Sequence, residues 1–252
     1  MKNVKLLLIL PALLLSSCGE NYGKEITTEE AVPKLNAITS KSVNTNTMNL
    51  VAKEDTVAYD ASKKQKVTML TNIIMASGRI RKFRSKISTN GSTVTTEASW
   101  FIDSRYGGEV FYLSASDGKN TQKMKLAKSS SQFKTLNTKF EELNAQVKEV
   151  IKNMQDPLTT LSRKDIVKGS ISGFVFNYYA KGENDLTIKS TPNSTDVTGY
   201  FNATYNDNLI RKYDYKFTTK DGTYIQEKYD LNFNGNVKVE MPSGYDNAII
   251  AL

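Results

Sequence analysis

Apolar residues recur at two different spacings along this chain, and each spacing predicts one kind of secondary structure. The first helical stripe, with intervals of three and four residues, consists of Ala31, Leu35 and Ile38. It predicts a short helix over about 29–41. Thr27 and Glu30 stand three positions apart, as in a capping box, and mark its start. Pro33 is expected in the first turn, or else the helix starts at Pro33, because a proline deeper in a helix breaks it.

A second and longer stripe predicts a helix over about 138–155. Its apolar members, spaced mostly four and three residues apart, are Leu136, Phe140, Leu143, Val147, Val150, Ile151 and Met154. Thr138 and Glu141 predict a capping box at its start, and Pro157 stands just past its end. The stripe is short for a coiled coil, so we expect it to pack against a sheet of the same molecule.

Apolar and polar positions alternate over residues 44–126 and 166–241, which predicts antiparallel strands. In the first region, 79–88 carries five basic residues among apolar ones and is expected to be a solvated or edge strand. Asn90-Gly91 predicts a two-residue hairpin turn. In the second region the predicted strands are rich in Tyr and Phe and cover 171–180, 184–190, 197–206, 209–218, 223–233 and 236–241.

The N-terminus has the features of a bacterial export signal. Lys2 and Lys5 precede an apolar run over 6–15, which is too short for a helix across a ~30 Å hydrocarbon core. The tetrapeptide Leu-Ser-Ser-Cys that ends at Cys18 resembles the lipobox of bacterial lipoproteins at every position. In that family diacylglycerol is coupled to the cysteine, the signal is cut before it, and the new N-terminus usually receives a further acyl chain such as palmitate.

The lipobox resemblance implies a signal peptide at 1–17, lipidation of Cys18 and a membrane anchor made of lipid. Residues 18–27 are mostly polar and are predicted to be a lipid-anchored tether, and 28–252 are predicted to form a single domain. The protein is therefore expected to be exported and membrane-anchored. It would lie on the outer face of the cytoplasmic membrane or on the outer membrane, and we expect it to be a monomer.

Composition excludes several kinds of catalysis. The 252-residue chain has no histidine, so it contains no Ser-His-Asp triad and no imidazole metal site. Its one cysteine is assigned to lipid, which excludes disulfides and thiol catalysis. We expect no catalytic residue, no cofactor and no metal, and a hydrolase with dispersed carboxylates is the least supported hypothesis.

The charge of the chain favours a membrane as its neighbour. The formal net charge is +8, and its lysines are scattered rather than clustered. Anionic lipid headgroups attract a basic domain that is tethered to a bilayer. Nucleic acid is not an expected partner, because an exported and anchored domain rarely meets it.

The order of elements resembles a known family. A lipobox, a helix, long strands, a middle helix and an aromatic meander that closes in Val237-Lys238-Val239-Glu240-Met241-Pro242 are similar to the half-barrel lipoproteins of the LolA/LolB and LppX type. The resemblance implies an α+β fold, in which a strongly curved antiparallel β-sheet (a half-barrel) packs against two or three helices. Those families hold acyl chains or whole lipids in the hollow of the sheet.

The leading hypothesis is a non-enzymatic cell-envelope lipoprotein that binds a lipid or another hydrophobic ligand in a half-barrel cavity, in the manner of a lipid or lipoprotein carrier. The predicted hydrophobic wall consists of Trp100, Phe111, Leu113, Phe174, Phe176, Phe201, Tyr215 and Phe217. The alternative is a surface interaction or adhesion module that binds protein or glycan through an exposed sheet face. A fully packed core also remains open, and an internal volume below ~300 Å³ would count against a ligand cavity.

Overall fold

The structure is a computed structural model that describes residues 21–156, 170–171, 174–192, 198–233, 237 and 239–251. The predicted signal peptide at 1–17 and the predicted lipidation site at Cys18 lie outside the described residues. In the described part of the chain, no helix is both long enough and apolar enough to cross a membrane.

The described residues form two α-helices and fourteen strands. The helices are α1 (Thr28–Ser40) and α2 (Ser131–Gln155). The strands are β1 (Lys24–Ile26), β2 (Leu50–Asp60), β3 (Gln65–Ala76), β4 (Arg79–Thr89), β5 (Ser92–Asp103), β6 (Gly108–Ser116), β7 (Thr121–Ala127), β8 (Ser170–Ile171), β9 (Phe174–Ala180), β10 (Leu186–Pro192), β11 (Thr198–Asn206), β12 (Leu209–Thr218), β13 (Tyr224–Asn232) and β14 (Ile249–Ala251).

The strands make one large, open and mostly antiparallel sheet, so the fold is α+β as predicted. Its order is β1-β9-β10-β11-β12-β13-β2-β3-β4-β5-β6-β7-β14, and β8 pairs with β9 beside this path. Strands β2–β7 form one meander and β9–β13 a second. The two meanders join where β13 pairs with β2, from Tyr224↔Tyr59 to Asn232↔Val51. Only β14 and β7 are parallel among the described pairs.

Helix α1 begins as its sequence predicts. Thr27 Oγ1 accepts a hydrogen bond from the Glu30 N–H at 3.3 Å, and Glu30 Oε2 accepts one from the Thr27 N–H at 2.8 Å. The stripe of Ala31, Leu35 and Ile38 is buried. Pro33 lies in the second turn, so its expected place in the first turn is wrong. The carbonyl that loses its partner there belongs to Glu29, an exposed residue that water can reach.

Helix α2 starts earlier than predicted. Ser130 is the N-cap, and its Oγ accepts a hydrogen bond from the Phe133 N–H at 3.1 Å. Thr138, the predicted cap, lies inside the helix and donates its hydroxyl to the Lys134 carbonyl at 3.2 Å. The earlier start prevails because it adds the buried Phe133 to the apolar stripe. The helix ends at Gln155, just before Pro157, as predicted.

Strand β4 contains the basic segment 79–88 and is not an edge strand, because β3 pairs with one side of it and β5 with the other. Its basic residues are tolerated since Lys82 and Arg84 alternate with Phe83 and Ser85, which places the two sets on opposite faces of the sheet. The face that carries Phe83 packs against the helices and is called the helical face. The opposite face is called the outer face.

Both ends of the domain differ from the sequence predictions. The predicted tether 18–27 is folded from Lys24 onward, because β1 adds a ladder of backbone hydrogen bonds to β9. The predicted strand at 236–241 is absent from the described residues in that range. The C-terminal strand is β14 instead, and its three residues are too few to produce a readable alternation.

Three apolar clusters form the core. The largest joins both helices to the two meanders on the helical face. A second lies on the same face under the start of α2 and contains Ala98, Trp100, Phe111, Leu126 and Phe133. The third lies on the outer face, where the C-terminal segment packs, and contains Val110, Tyr112, Tyr245 and Ala248.

Polar contacts hold the C-terminal segment to β5. The Asp103 carboxylate is 5% exposed and accepts hydrogen bonds from the Arg105 guanidinium at 2.7 Å and from the Tyr245 hydroxyl at 3.0 Å. Arg105 also pairs with Asp246 at 3.0 Å. These hydrogen bonds hold the pKa of Asp103 well below its usual range, with the Arg105 side chain as the main cause.

Candidate functional site

The strand registers align residues of β12, β13 and β2–β5 in rows that cross the helical face. Row 1 is apolar, and its members are Leu231, Ala52, Ile73, Phe83 and Ala98. Row 2 is mostly polar, and its members are Tyr213, Tyr229, Glu54, Thr71, Ser85 and Thr96. Row 1 and the middle of row 2 face α2, and Thr71 and Ser85 are buried there.

Two further rows lie farther along the same strands and are partly to largely exposed. Row 3 consists of Tyr215, Glu227, Thr56, Met69, Ile87 and Val94. Row 4 consists of Phe217, Ile225, Ala58, Val67 and Thr89. Within rows 3 and 4, the most exposed apolar side chains are Ile87 at 41%, Val94 at 49%, Phe217 at 48% and Ile225 at 38%. Rows 3 and 4 together are called the open apolar surface.

A cavity of about 240 Å³ lies between α2 and rows 1 and 2. Its floor consists of Ala52, Glu54, Thr71, Ile73, Tyr229 and Leu231, and its roof of Leu143, Gln146, Val147, Val150, Ile151 and Met154. Val150 is 43% exposed, so the cavity opens to solvent beside it. Drug-sized ligand pockets begin near ~300 Å³, so this volume counts against a whole lipid enclosed in the interior. A larger ligand would have to extend onto the open apolar surface.

Aromatic rings connect the cavity to the open apolar surface. The Tyr213 ring centroid lies 5.0 Å from that of Phe201, 6.2 Å from that of Tyr229 and 5.7 Å from that of Tyr215. The Tyr215 centroid lies 5.4 Å from that of Phe217. These separations are in the range of favourable ring pairs. The rings therefore form a continuous wall, called the aromatic wall, from the main core to row 4.

Two carboxylates meet at the aromatic wall. The Tyr229 hydroxyl lies 2.7 Å from Glu227 Oε2 and 3.2 Å from Glu54 Oε1, and Thr56 Oγ1 donates to Glu54 Oε1 at 3.0 Å. Burial raises the pKa of Tyr229, and a hydrogen bond to Glu227 raises it further. The same two causes, in the same order, raise the pKa of Tyr215. Both phenols therefore stay protonated and can donate hydrogen bonds.

No cation balances these carboxylates among the described residues. Glu54 and Glu227 take part in none of the ion pairs of this part of the chain. Rows 1 to 4 contain no lysine and no arginine. The helical face thus combines apolar surface with two anionic groups.

Half of the predicted wall residues lie in the packed core. Trp100 and Phe111 are 8% and 1% exposed, and their rings lie 4.5 Å and 5.2 Å from that of Phe140 in α2. Leu113 packs on the same cluster, and Phe176 is buried in the main core. For the three residues of β5 and β6, the reason is that α2 packs Phe133, Leu136 and Phe140 over them. These four residues fill the core rather than line an open wall.

The other predicted wall residues have a different environment. Phe201, Tyr215 and Phe217 lie together on the aromatic wall. Phe174 lies in β9, and its side chain is outside the described part of the structure. Sequence reasoning missed Glu54, Glu227, Tyr213 and Tyr229, and it included Tyr215. The available signal was a carboxylate at a position that the alternation of Leu50 and Ala52 assigns to the apolar face.

The outer face carries a second groove, of about 500 Å³. It is polar, and its lining includes Tyr22, Lys53, Asp55, Asn72, Asn202, Lys212, Asp214, Lys228 and Asp230. The registers place Lys53 and Lys212 opposite Asp230, and Lys228 opposite Asp55 and Asp214. Charges of opposite sign therefore alternate across this groove, in contrast to the uncompensated carboxylates of the helical face.

Comparison with known proteins identifies no family for this chain. No family matches the chain, and no curated protein matches it. A crystal structure from Vibrio parahaemolyticus, described as an outer membrane lipoprotein-sorting protein domain, is similar with a TM-score of 0.22 and 10% sequence identity. The alignment covers 88% of this chain and 98% of that one. A TM-score of this size does not establish a shared fold, so it contributes nothing to the assignment of function.

Proposed function

We propose that this protein is a non-enzymatic cell-envelope lipoprotein that binds a hydrophobic ligand, such as the acyl chain of a lipid, on the helical face of a half-barrel sheet. The observation that supports the proposal is the continuity of the cavity under α2 with the open apolar surface. Soluble domains rarely leave a contiguous apolar patch of this kind without a use for it.

The ligand would lie along the aromatic wall, with one end under α2. Row 1 and the roof of the cavity offer apolar contacts to that end, and rows 3 and 4 offer them to the rest. Each methylene that leaves water contributes about 0.8 kcal/mol before the entropy of association is subtracted. A chain of ten methylenes would therefore contribute up to ~8 kcal/mol before that subtraction.

The proposed anchor would keep this surface near the bilayer. Cys18 carries the lipid in this proposal, and β1 begins at Lys24. Five residues lie between them, and an extended chain spans at most ~3.6 Å per residue. The sheet would therefore start within about 20 Å of the lipidated cysteine, close to a supply of lipid.

The test is co-purification of lipid, followed by titration with a fluorescent 16-carbon fatty alcohol, which carries no charge. We expect native mass spectrometry of the purified protein to show bound lipid. We expect Ile87→Ser combined with Phe217→Ser to weaken binding of the probe at least tenfold. Ile102→Ser is the control, because Ile102 is 83% exposed and lies outside rows 1 to 4. Absence of lipid together with equal affinities for all three proteins would refute the proposal.

The outer groove supports a second candidate function, which is binding of a glycan or protein through the outer face. Its volume of about 500 Å³ exceeds that of the cavity under α2, and its amide and carboxylate groups suit sugar hydroxyls. Glycan-array binding that Asn72→Ala and Asp214→Ala abolish, with no bound lipid, would favour this function over the first.

A further inference from the structure

The aromatic wall contains a charge that a purely hydrophobic ligand does not need. Glu54 and Glu227 come from neighbouring strands, β2 and β13, and both approach the hydroxyl of Tyr229. Glu54 also accepts from the Thr56 hydroxyl, and Glu227 also accepts from the Tyr215 phenol. Each carboxylate has about four lone-pair sites, so these three donors leave sites of the pair unfilled. The pair therefore keeps acceptor capacity for a further donor.

The position of the pair is unusual for this chain. The formal net charge is +8, and six acidic side chains of the described residues pair with lysine or arginine, as Glu97 does with Lys82 at 3.0 Å. Across the outer face, lysines and aspartates lie opposite each other. On the helical face the two glutamates have no basic partner in the described structure. Partly desolvated anions without a cation are unfavourable, and a cation on the ligand would offset that cost.

The surrounding rings suit the same kind of group. Tyr213, Tyr215 and Tyr229 form two ring pairs at 5.7 Å and 6.2 Å around the carboxylates. Organic ammonium groups are attracted to the faces of such rings, and the attraction grows when water is excluded. An anionic headgroup would instead meet two negative charges at this point.

We propose that the ligand of the helical face is a cationic amphiphile. Its ammonium group lies between Glu54 and Glu227 against the tyrosine rings, and its chain lies along the open apolar surface with its end under α2. This assignment rests on the proposed function and adds the charge of the ligand to it. It excludes free fatty acids and anionic phospholipids as preferred ligands.

Three probes with the same ten-carbon chain test the assignment: decylammonium, decyl sulfate and decyl glucoside. The full chain in uncharged detergent micelles is titrated with each probe by calorimetry, and empty micelles are subtracted. We expect the ammonium probe to bind at least tenfold more tightly than the sulfate, with the glucoside between them. We expect added salt to narrow the difference, because both carboxylates are partly exposed.

A double variant locates the effect. Glu54→Gln with Glu227→Gln keeps the shape of both side chains and one acceptor oxygen on each, and it removes two charges. We expect it to weaken binding of the ammonium probe at least tenfold and to leave the glucoside unchanged. The matched control is Glu142→Gln with Glu149→Gln, two exposed residues of α2 that line no part of the cavity. It should leave all three affinities unchanged.

The outcomes separate this assignment from the proposed function. If the wild-type protein binds the three probes equally, or if the double variant keeps the preference for ammonium, the cationic ligand is wrong and the hydrophobic site stands. If no probe binds, the proposed function fails and the assignment fails with it. If the double variant does not fold, as judged by circular dichroism, the wild-type preference decides alone.

Discussion

Gln155 at the end of α2 offers a sharp test of how the helix is held over the sheet. Its side chain is buried and makes three hydrogen bonds to the backbone of other elements. The Nε2 group donates to the Ile38 carbonyl at 3.2 Å and to the Asn208 carbonyl at 2.7 Å, and Oε1 accepts from the Ile210 N–H at 2.9 Å. The last turn of α2 is thus tied to the end of α1 and to the β11–β12 hairpin.

Gln155→Leu keeps the side-chain volume close to its original value and removes all three bonds. Ile38 retains a partner, because its carbonyl also accepts from the Lys41 N–H at 3.1 Å. The Ile210 N–H is buried and loses its acceptor, which costs ~1–3 kcal/mol, and the partly buried Asn208 carbonyl adds about 1 kcal/mol. We therefore expect the free energy of unfolding to fall by about 2–4 kcal/mol.

Urea denaturation followed by circular dichroism measures this change. With a slope of about 2 kcal/mol per M, the midpoint should fall by about 1–2 M. Asn153→Leu is the matched control, since Asn153 is an exposed neighbour in the same turn and should change stability by less than about 0.5 kcal/mol. If Gln155→Leu is as stable as this control, the three hydrogen bonds do not hold the helix in place.

Three further predictions concern the domain and its cavity. Asp103→Asn should lower the urea midpoint at pH 7 and lose less stability than the wild type as the pH falls below about 4. The depressed pKa of Asp103 stabilises the fold fully above the pKa of the unfolded chain, and this stability is lost as the pH falls from there toward the folded pKa. Parallel pH profiles for both proteins would contradict this. Gly78→Ala should destabilise by more than ~2 kcal/mol, because φ is +69° and a Cβ would lie 2.3 Å from the Asn46 carbonyl oxygen. Gly91→Ala, with a φ of +85° and open space around it, should lower the free energy of unfolding by only ~1 kcal/mol. If urea denaturation shows equal losses for Gly78→Ala and Gly91→Ala, the contact with Asn46 is unimportant. Val150→Trp should close the mouth of the cavity and weaken binding of the fatty-alcohol probe at least tenfold at unchanged thermal stability; an unchanged affinity would place the ligand elsewhere.

Short-range features of the fold could be predicted from the sequence. The capping box of Thr27 and Glu30 depends on residues three positions apart, and it is present. The turn at Asn90-Gly91 depends on two residues that accept positive φ, and both adopt it, at 48° and 85°. The apolar stripe of α2 is visible in the sequence because its apolar residues recur at the spacing of helical turns. In each case the deciding interactions lie within a few residues of the chain.

Packing overrides two local patterns of the sequence, one at the start of α2 and one in β4. The sequence pattern of a capping box lies at Thr138 and Glu141, but the N-cap is Ser130, because Phe133 gains burial against β5–β7. Helix α2 also covers Trp100 and Phe111, so these two residues lie in the core and not on the wall that the sequence predicted. Strand β4 reads as an edge from its charges and lies inside the sheet, since both of its neighbours pair with it.

The candidate site depends on the tertiary structure alone. Glu54 and Glu227 lie far apart in the chain and meet only because β13 pairs with β2 and joins the two meanders. The sequence pattern within either strand does not predict which of their residues pair, because the pairing of distant strands is set by the burial of the whole helical face. The sequence by itself determined the helices, the turns, the alternation of the strands and the export signal that it predicts. Which faces meet, which rings stay open to a ligand and which charges lie among them were decided only when the sheet assembled.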